Sequence, residues 1–146
     1  MKHTFLFLEG IWIARGHYFD DTDCALPLDG VTRITHTDKL WLNEGEMEIK
    51  AGDKPIKIYN CYEILPFEEN KKQTTWKSLN PDLGGLLGRF VIVDDTIISS
   101  CRSKNGEYAG FEFFLKASDM DYKNRGVFFR GNDRLSSWSI DLQKTP

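Results

Sequence analysis

The side chains able to do chemistry are few in this chain, and no group of them has a spacing that names a reaction. The histidines are His3, His17 and His36. A single neutral imidazole, from His17 or His36, would suffice as an axial haem ligand, but no carboxylate is spaced with them in a zinc-like pattern. Ser99-Ser100-Cys101 has no visible base nearby, and Gly-x-Ser-x-Gly does not occur. Gly84-Gly85-Leu86-Leu87-Gly88 is glycine-rich, yet no Lys-Ser/Thr pair or helical pattern follows it. It is therefore no phosphate loop, and its glycines are expected to bend or bulge a strand. Asp119, Asp121 and Asn124 lack the glycine and final glutamate of a calcium loop. These absences leave no catalytic set and no metal set, and they specify no cofactor.

The stronger signal is a series of aromatics set within alternating segments, accompanied by a few charges. Trp41, Tyr62, Trp76, Phe90, Phe111, Phe113 and Trp138 are the candidate walls of a ligand site. Ligand pockets are mostly apolar with a few convergent polar groups, and this mixture fits that description. Arg89 and Arg102 also lie in strand patterns, as does Glu112. A buried arginine costs several kcal/mol unless paired, so either one inside a cavity would meet Glu112 or an acidic ligand. The bland reading places the arginines on the outer face.

The elements that must position these residues are short strands. Period-2 alternation, β-branched residues and turn signals predict strands over 11–19, 31–36, 40–49, 56–64, 73–79, 86–93, 96–102, 107–116, 125–130 and 134–142. The 40–49 segment places Glu44, Glu46 and Glu48 on one side, so Trp41, Met47 and Ile49 are expected to point inward. Leu28-Asp29-Gly30, Ala51 to Pro55, Lys104-Asn105-Gly106 and the stretch from Asp119 to Asn124 read as turns, and Asn80 to Gly85 as a loop. About ten hairpin-linked strands in unbroken series close with little topological difficulty, and closure removes every exposed edge. The expected fold is all-β: a single antiparallel up-and-down barrel of about ten strands over residues 1–146, with an open sandwich as the competing topology. In the 107–116 strand, alternation separates Phe111 and Phe113 from Tyr108, Glu112 and Phe114, leaving both faces partly apolar. One face is expected to line the interior and the other to pack under a loop or against a partner subunit, a homodimer being the candidate assembly.

Composition narrows the functional classes. The 146 residues suit one domain, long enough to bury roughly 70% of the surface of the unfolded chain. Formal net charge is −3, which disfavours nucleic acid or an anionic membrane as a partner. The three cysteines, Cys24, Cys61 and Cys101, have no metal-like spacing, and an odd count suits reduced, partly buried thiols in a cytoplasmic protein. No secretory leader or membrane-spanning run is present in the sequence.

Gly10 and Trp12, at the start of the first strand, form a Gly-x-Trp. With the strand cadence, this resembles the calycin group of lipocalins, fatty-acid-binding proteins and related intracellular barrels. The resemblance implies a late-strand cation, Arg130 or Arg134, packed across Trp12, a contact worth roughly 0.5–2 kcal/mol. Extracellular members carry a leader and a disulfide that this chain lacks, so the likeness is to a cytoplasmic, fatty-acid-binding or haem-binding type. The function this implies is binding of a small hydrophobic or amphipathic molecule inside the barrel. An enzyme of isomerase, cyclase or chromophore-lyase type on the same scaffold, with Glu112 or Tyr62 moving protons, is the alternative. A packed barrel serving as a protein-interaction subunit is the third reading.

Overall fold

The structure, a computed structural model, describes residues 2–79 and 84–146. Ten strands run in order: β1 Gly10–Phe19, β2 Ala25–His36, β3 Trp41–Ile49, β4 Ile56–Ile64, β5 Gln73–Ser78, β6 Leu86–Val93, β7 Thr96–Ser103, β8 Tyr108–Lys116, β9 Asp121–Arg130 and β10 Asp133–Lys144. Each is antiparallel to its neighbours, and β10 returns to pair with β1 from Trp12↔Lys144 to Phe19↔Ser137. The result is a closed up-and-down antiparallel barrel of ten strands. No helix is long and apolar enough to cross a membrane among the described residues, which says nothing of a β-barrel.

Two predicted turns are strand instead. Leu28-Asp29-Gly30 lies inside β2, paired with Ile49, Glu48 and Met47. A Cβ at Gly30 would overlap the Glu46 carbonyl oxygen and the Met47 side chain, so this glycine permits a close approach and makes no turn. The predicted turn over Asp119 to Asn124 ends early because Tyr122 and Asn124 are already inward-facing β9 residues, both buried. Gly88 is no bulge either: β6 keeps unbroken register with β5 and β7. Its missing side chain makes room for the Trp76 indole. The predicted loop at Asn80 to Gly85 falls largely outside the described residues.

Hairpins alternate between the two ends of the barrel, and one end carries a plug. Residues 2–9 turn across that end, with Leu6 in the left-handed region at φ 71°. Phe5 inserts against Trp12, Phe114 and Tyr122, with ring centroids 5.3, 4.7 and 5.7 Å away. Phe7 packs on Trp41 and on Phe67 of the β4–β5 connection. Thr4 Oγ1 donates to the Asp119 carbonyl at 2.7 Å, and His3 Nε2 meets the Asp94 carbonyl at 2.9 Å. His36 Nε2 lies 2.7 Å from the Leu6 carbonyl. Connections at four different hairpins thus hold one short segment.

The Gly-x-Trp expectation is half met. Trp12 is fully buried, but neither predicted arginine covers it. Arg130 pairs with Glu107 and lies 5.9 Å from the Tyr108 ring centroid, and Arg134 pairs with Asp23. The bulge between Arg134 and Ser136 sits at the opposite end of the barrel from Trp12. Phe5 and Tyr122 pack on the indole instead, each ring near-perpendicular to it, while Lys144 stands opposite Trp12 and crosses Gly10.

Candidate functional site

Away from the plug, the barrel holds an interior cavity of about 310 Å³, floored by Phe5 and walled by Tyr18, Met47, Ile58, Tyr62, Phe128 and Trp138 among others. A side cleft of about 60 Å³ runs from it between Tyr62, Trp76, Cys101 and Glu112. The main volume lies at the small end of the range for ligand pockets, roughly 300–1,000 Å³.

Glu112 is the electrostatic centre of this space. Its position on β8 faces inward, where Oε2 accepts hydrogen bonds from Asn124 Nδ2 at 3.1 Å and Trp138 Nε1 at 3.2 Å. Asn124 also donates to the Phe113 carbonyl at 3.0 Å, which fixes the amide's orientation. Oε1 accepts nothing among the described residues and is not a sealed atom, so it opens onto the cavity. Burial raises the Glu112 carboxyl above its ordinary value, and the two hydrogen bonds only partly oppose that shift. A neutral Glu112 both donates and accepts; an ionised one only accepts.

Nearby groups are also held in their neutral forms. Burial, with Glu112 next in importance, pushes the Tyr62 hydroxyl far up. The same two causes push the Cys101 thiol up to about 11, so it is no thiolate nucleophile at neutral pH. On the far wall, the Thr32 hydroxyl donates to Asn43 Oδ1, and both side chains are buried. Two glycines make the aromatic wall. Trp138 lies over Gly126, its partner on β9, and Trp76 lies over Gly88, its partner on β6. Any Cβ at either glycine would overlap the indole ring. Trp76 also meets Tyr62 edge-on at 4.8 Å, and its Nε1 is buried without an acceptor among the described residues.

The predicted site residues divide by strand parity. Tyr62, Glu112 and Trp138 line the main cavity, and Trp76 lines the side cleft. Phe90 is inward and buried, tilted against Trp76. Trp41 is inward but serves the plug, stacked on His36 at 4.2 Å and packed against Phe7. Arg89, Arg102, Phe111 and Phe113 point outward, since each alternates with an inward neighbour: Phe90, Cys101, Gly110 and Glu112. No arginine anchors a ligand within the main cavity or side cleft. His17 alternates with the inward Gly16 and Tyr18, so it faces away from the interior, while the His36 ring is engaged by Leu6 and Trp41. Cys24 and Cys61 are exposed rather than partly buried; Cys101 alone is inside.

Sequence reasoning missed Phe5, Tyr18, Asn124 and Phe128. The available signals were the Asn124–Gly126–Phe128 alternation and a glycine paired in register with a tryptophan. Phe5 carried no periodic signal at all.

No family model matches the chain, and neither does any curated protein sequence. Among solved structures, it is similar to an S-type phycobiliprotein lyase from Guillardia theta, with 11% identity, a TM-score of 0.54, and coverage of 94% of this chain and 88% of that one. A putative AttH from Nitrosomonas europaea aligns at 10% identity and TM-score 0.32, over 92% of this chain and 49% of that one. An N-terminal dehydratase from the difficidin assembly line aligns at 8% identity and TM-score 0.28, over 92% and 78%. The last two share too little to carry an argument. The first establishes a common barrel architecture, and with the closed ten-strand topology it defines the class: a calycin-like β-barrel.

Proposed function

We propose that this protein binds a small amphipathic molecule inside its barrel, with the ligand's polar end at Glu112. The observation that carries this reading is the single unpartnered carboxyl oxygen facing a cavity whose wall is otherwise largely aromatic and aliphatic. A buried carboxyl with one oxygen held and the other free is a receptor for an N–H, an O–H or a cation. The volume suits a compact body of one or two rings, and a larger chromophore would have to protrude through the mouth. Unpaired cysteines support a reducing compartment, in keeping with a cytoplasmic location.

The test is native mass spectrometry of the freshly isolated protein, followed by titration with amine- and hydroxyl-bearing aromatics of matched size. Saturable one-to-one binding that falls at least tenfold in Glu112→Gln supports the reading. Equal binding by the variant, or no binding by any probe, rejects it.

A second reading, chromophore attachment, rests on the placement of the same carboxyl: Glu112 is fixed by Asn124 and Trp138 against the cavity, and burial, by holding its proton, suits it to protonate a conjugated ligand. A phycobiliprotein lyase is among the proteins it resembles in fold. Adding an open-chain tetrapyrrole would then produce a shifted visible band whose pH dependence disappears in Glu112→Gln. An unchanged spectrum rejects this reading and leaves the first one standing.

A further inference from the structure

Strand register arranges the outward residues of β5 to β9 in rows. Thr75, Arg89, Ser100, Phe111 and Val127 are successive partners across the five strands. The row on one side is Lys77, Leu87, Arg102, Ala109 and Phe129, and on the other Gln73, Val91, Ile98, Phe113 and Arg125. None of these residues is acidic, although the chain carries a formal charge of −3. The missing carboxylates stand round the barrel, where β2 to β4 present Asp29, Glu44, Glu46, Glu48 and Glu63 outward. Glu63, opposite Lys77, marks the border of the cationic face.

This face is both apolar and electrostatically unsatisfied. Phe111 is 52% exposed, Leu87 47%, Ile98 42% and Phe113 40%. Lys77, Arg89 and Arg102 form no ion pair among the described residues. The face is also concave: a trough of about 820 Å³ crosses it, floored by the short side chains of Thr75, Ser100 and Ala109 and bordered by Leu65, Leu87 and Phe111, with Lys77, Arg89 and Arg102 on its lining against one carboxylate, Glu63, at its edge. Aromatics and arginines on an exposed sheet face are the composition of a protein interface.

We propose that this trough docks an acidic, amphipathic segment of a different protein, with its apolar side on Leu87 and Phe111 and its carboxylates on Arg89 and Arg102. Charge selects this occupant over the alternatives. In a two-fold homodimer the face would meet its own copy, setting unpaired cations against cations. A contact between this face and the acidic face of a second copy would be heterologous, building a ring or an open chain of copies that sedimentation would show. The concavity accepts a ridge such as a helix, whereas a flat bilayer would span the trough without filling it.

The probe is a fluorescent helical peptide with leucines at i, i+3, i+4 and i+7 and glutamates elsewhere, beside a twin carrying lysines for glutamates. The expected result is saturable binding of the acidic peptide, weakened by salt. Binding should fall at least tenfold in the R89E/R102E double variant and stay unchanged in Glu112→Gln. Both arginines are exposed, so circular dichroism should show the double variant folded, and Phe111→Ser gives an uncharged check on the same trough. Failure of the acidic peptide to bind, equal binding of its lysine twin, or indifference to R89E/R102E overturns the proposal. A wild-type dimer in sedimentation, or pelleting with phosphatidylglycerol vesicles in place of peptide binding, likewise overturns it in favour of self-association or a membrane.

Discussion

Glu112 concentrates the chemistry of this barrel in one carboxyl, and its titration is a measurable signature. Its folded value lies above its ordinary 4.5, so the native state holds its proton more tightly than the unfolded chain. The contribution is therefore fully present below about 4.5 and is lost as pH rises through the raised native value. Glu112→Gln keeps an acceptor for Asn124 and Trp138 and removes the titration. The expected outcome is that the difference in Tm between variant and wild type moves in favour of the variant as pH rises through this window. A pH-independent difference would contradict the burial argument. Glu112→Leu differs: it leaves Trp138 Nε1 with no acceptor, at a cost of about 1–3 kcal/mol for an unsatisfied buried donor, readable by urea unfolding.

Among the elements, the paired strands β9 and β10 set the cavity wall through one glycine. Gly126 makes room for the Trp138 indole, which in turn reaches Glu112. Gly126→Ala is expected to destabilise the protein by about 1–3 kcal/mol through overpacking. It should also change the tryptophan emission as the indole leaves the carboxyl. Gly45→Ala is the control, because its added methyl would meet nothing closer than 3.7 Å; its Tm should be within a degree or two of wild type. The sequence pattern at this level is informative about where strands lie and silent about which face is wet. In β3 the run Glu44, Glu46, Glu48 settles the matter, and Asn43 and Ile49 are buried as that parity requires. In β8 both faces carry phenylalanines, and the face holding Glu112 looks the more polar. The barrel nonetheless turns Glu112 inward and Phe111 and Phe113 outward.

The molecule as a whole is a can with one fitted end. His3 stands at its seal: Nδ1 is 2.8 Å from the Tyr122 hydroxyl, and that hydroxyl also accepts from the Thr4 backbone N–H at 3.1 Å. Burial lowers the His3 value below 6.5; Lys116 and the N-terminus act the same way, against the Asp94 carbonyl and Asp95. A lowered base value means stability is intact above about 6.5 and falls as pH drops through the native value. Wild-type Tm should therefore decline with acidification below 6.5, and His3→Gln should flatten that part of the curve. Phe5→Ala removes the plug's main anchor, at about 3–5 kcal/mol, and should enlarge the cavity enough to admit a bulkier probe. Unchanged stability in that variant would show that the segment is not integral to the closed end.

Ten short alternating segments with brief polar connections pointed, on the residues alone, to a meander and favoured its closure over an open sandwich, because closure leaves every edge paired; the pairing of β1 with β10 decided it. Tyr62, Trp76 and Trp138 were recognisable as wall residues for the same reason: bulky aromatics in alternating strands seek the interior. Tertiary structure alone decided which parity faced inward on β6, β7 and β8, since a period of two is unchanged when the whole pattern shifts by one residue. It also decided the plug, because Phe5 and Phe7 belong to no periodic element and meet partners distant in sequence, Phe114 and Tyr122 for the first and Trp41 and Phe67 for the second. The cationic face arose likewise from register: Lys77, Arg89 and Arg102 become neighbours only when β5, β6 and β7 lie side by side.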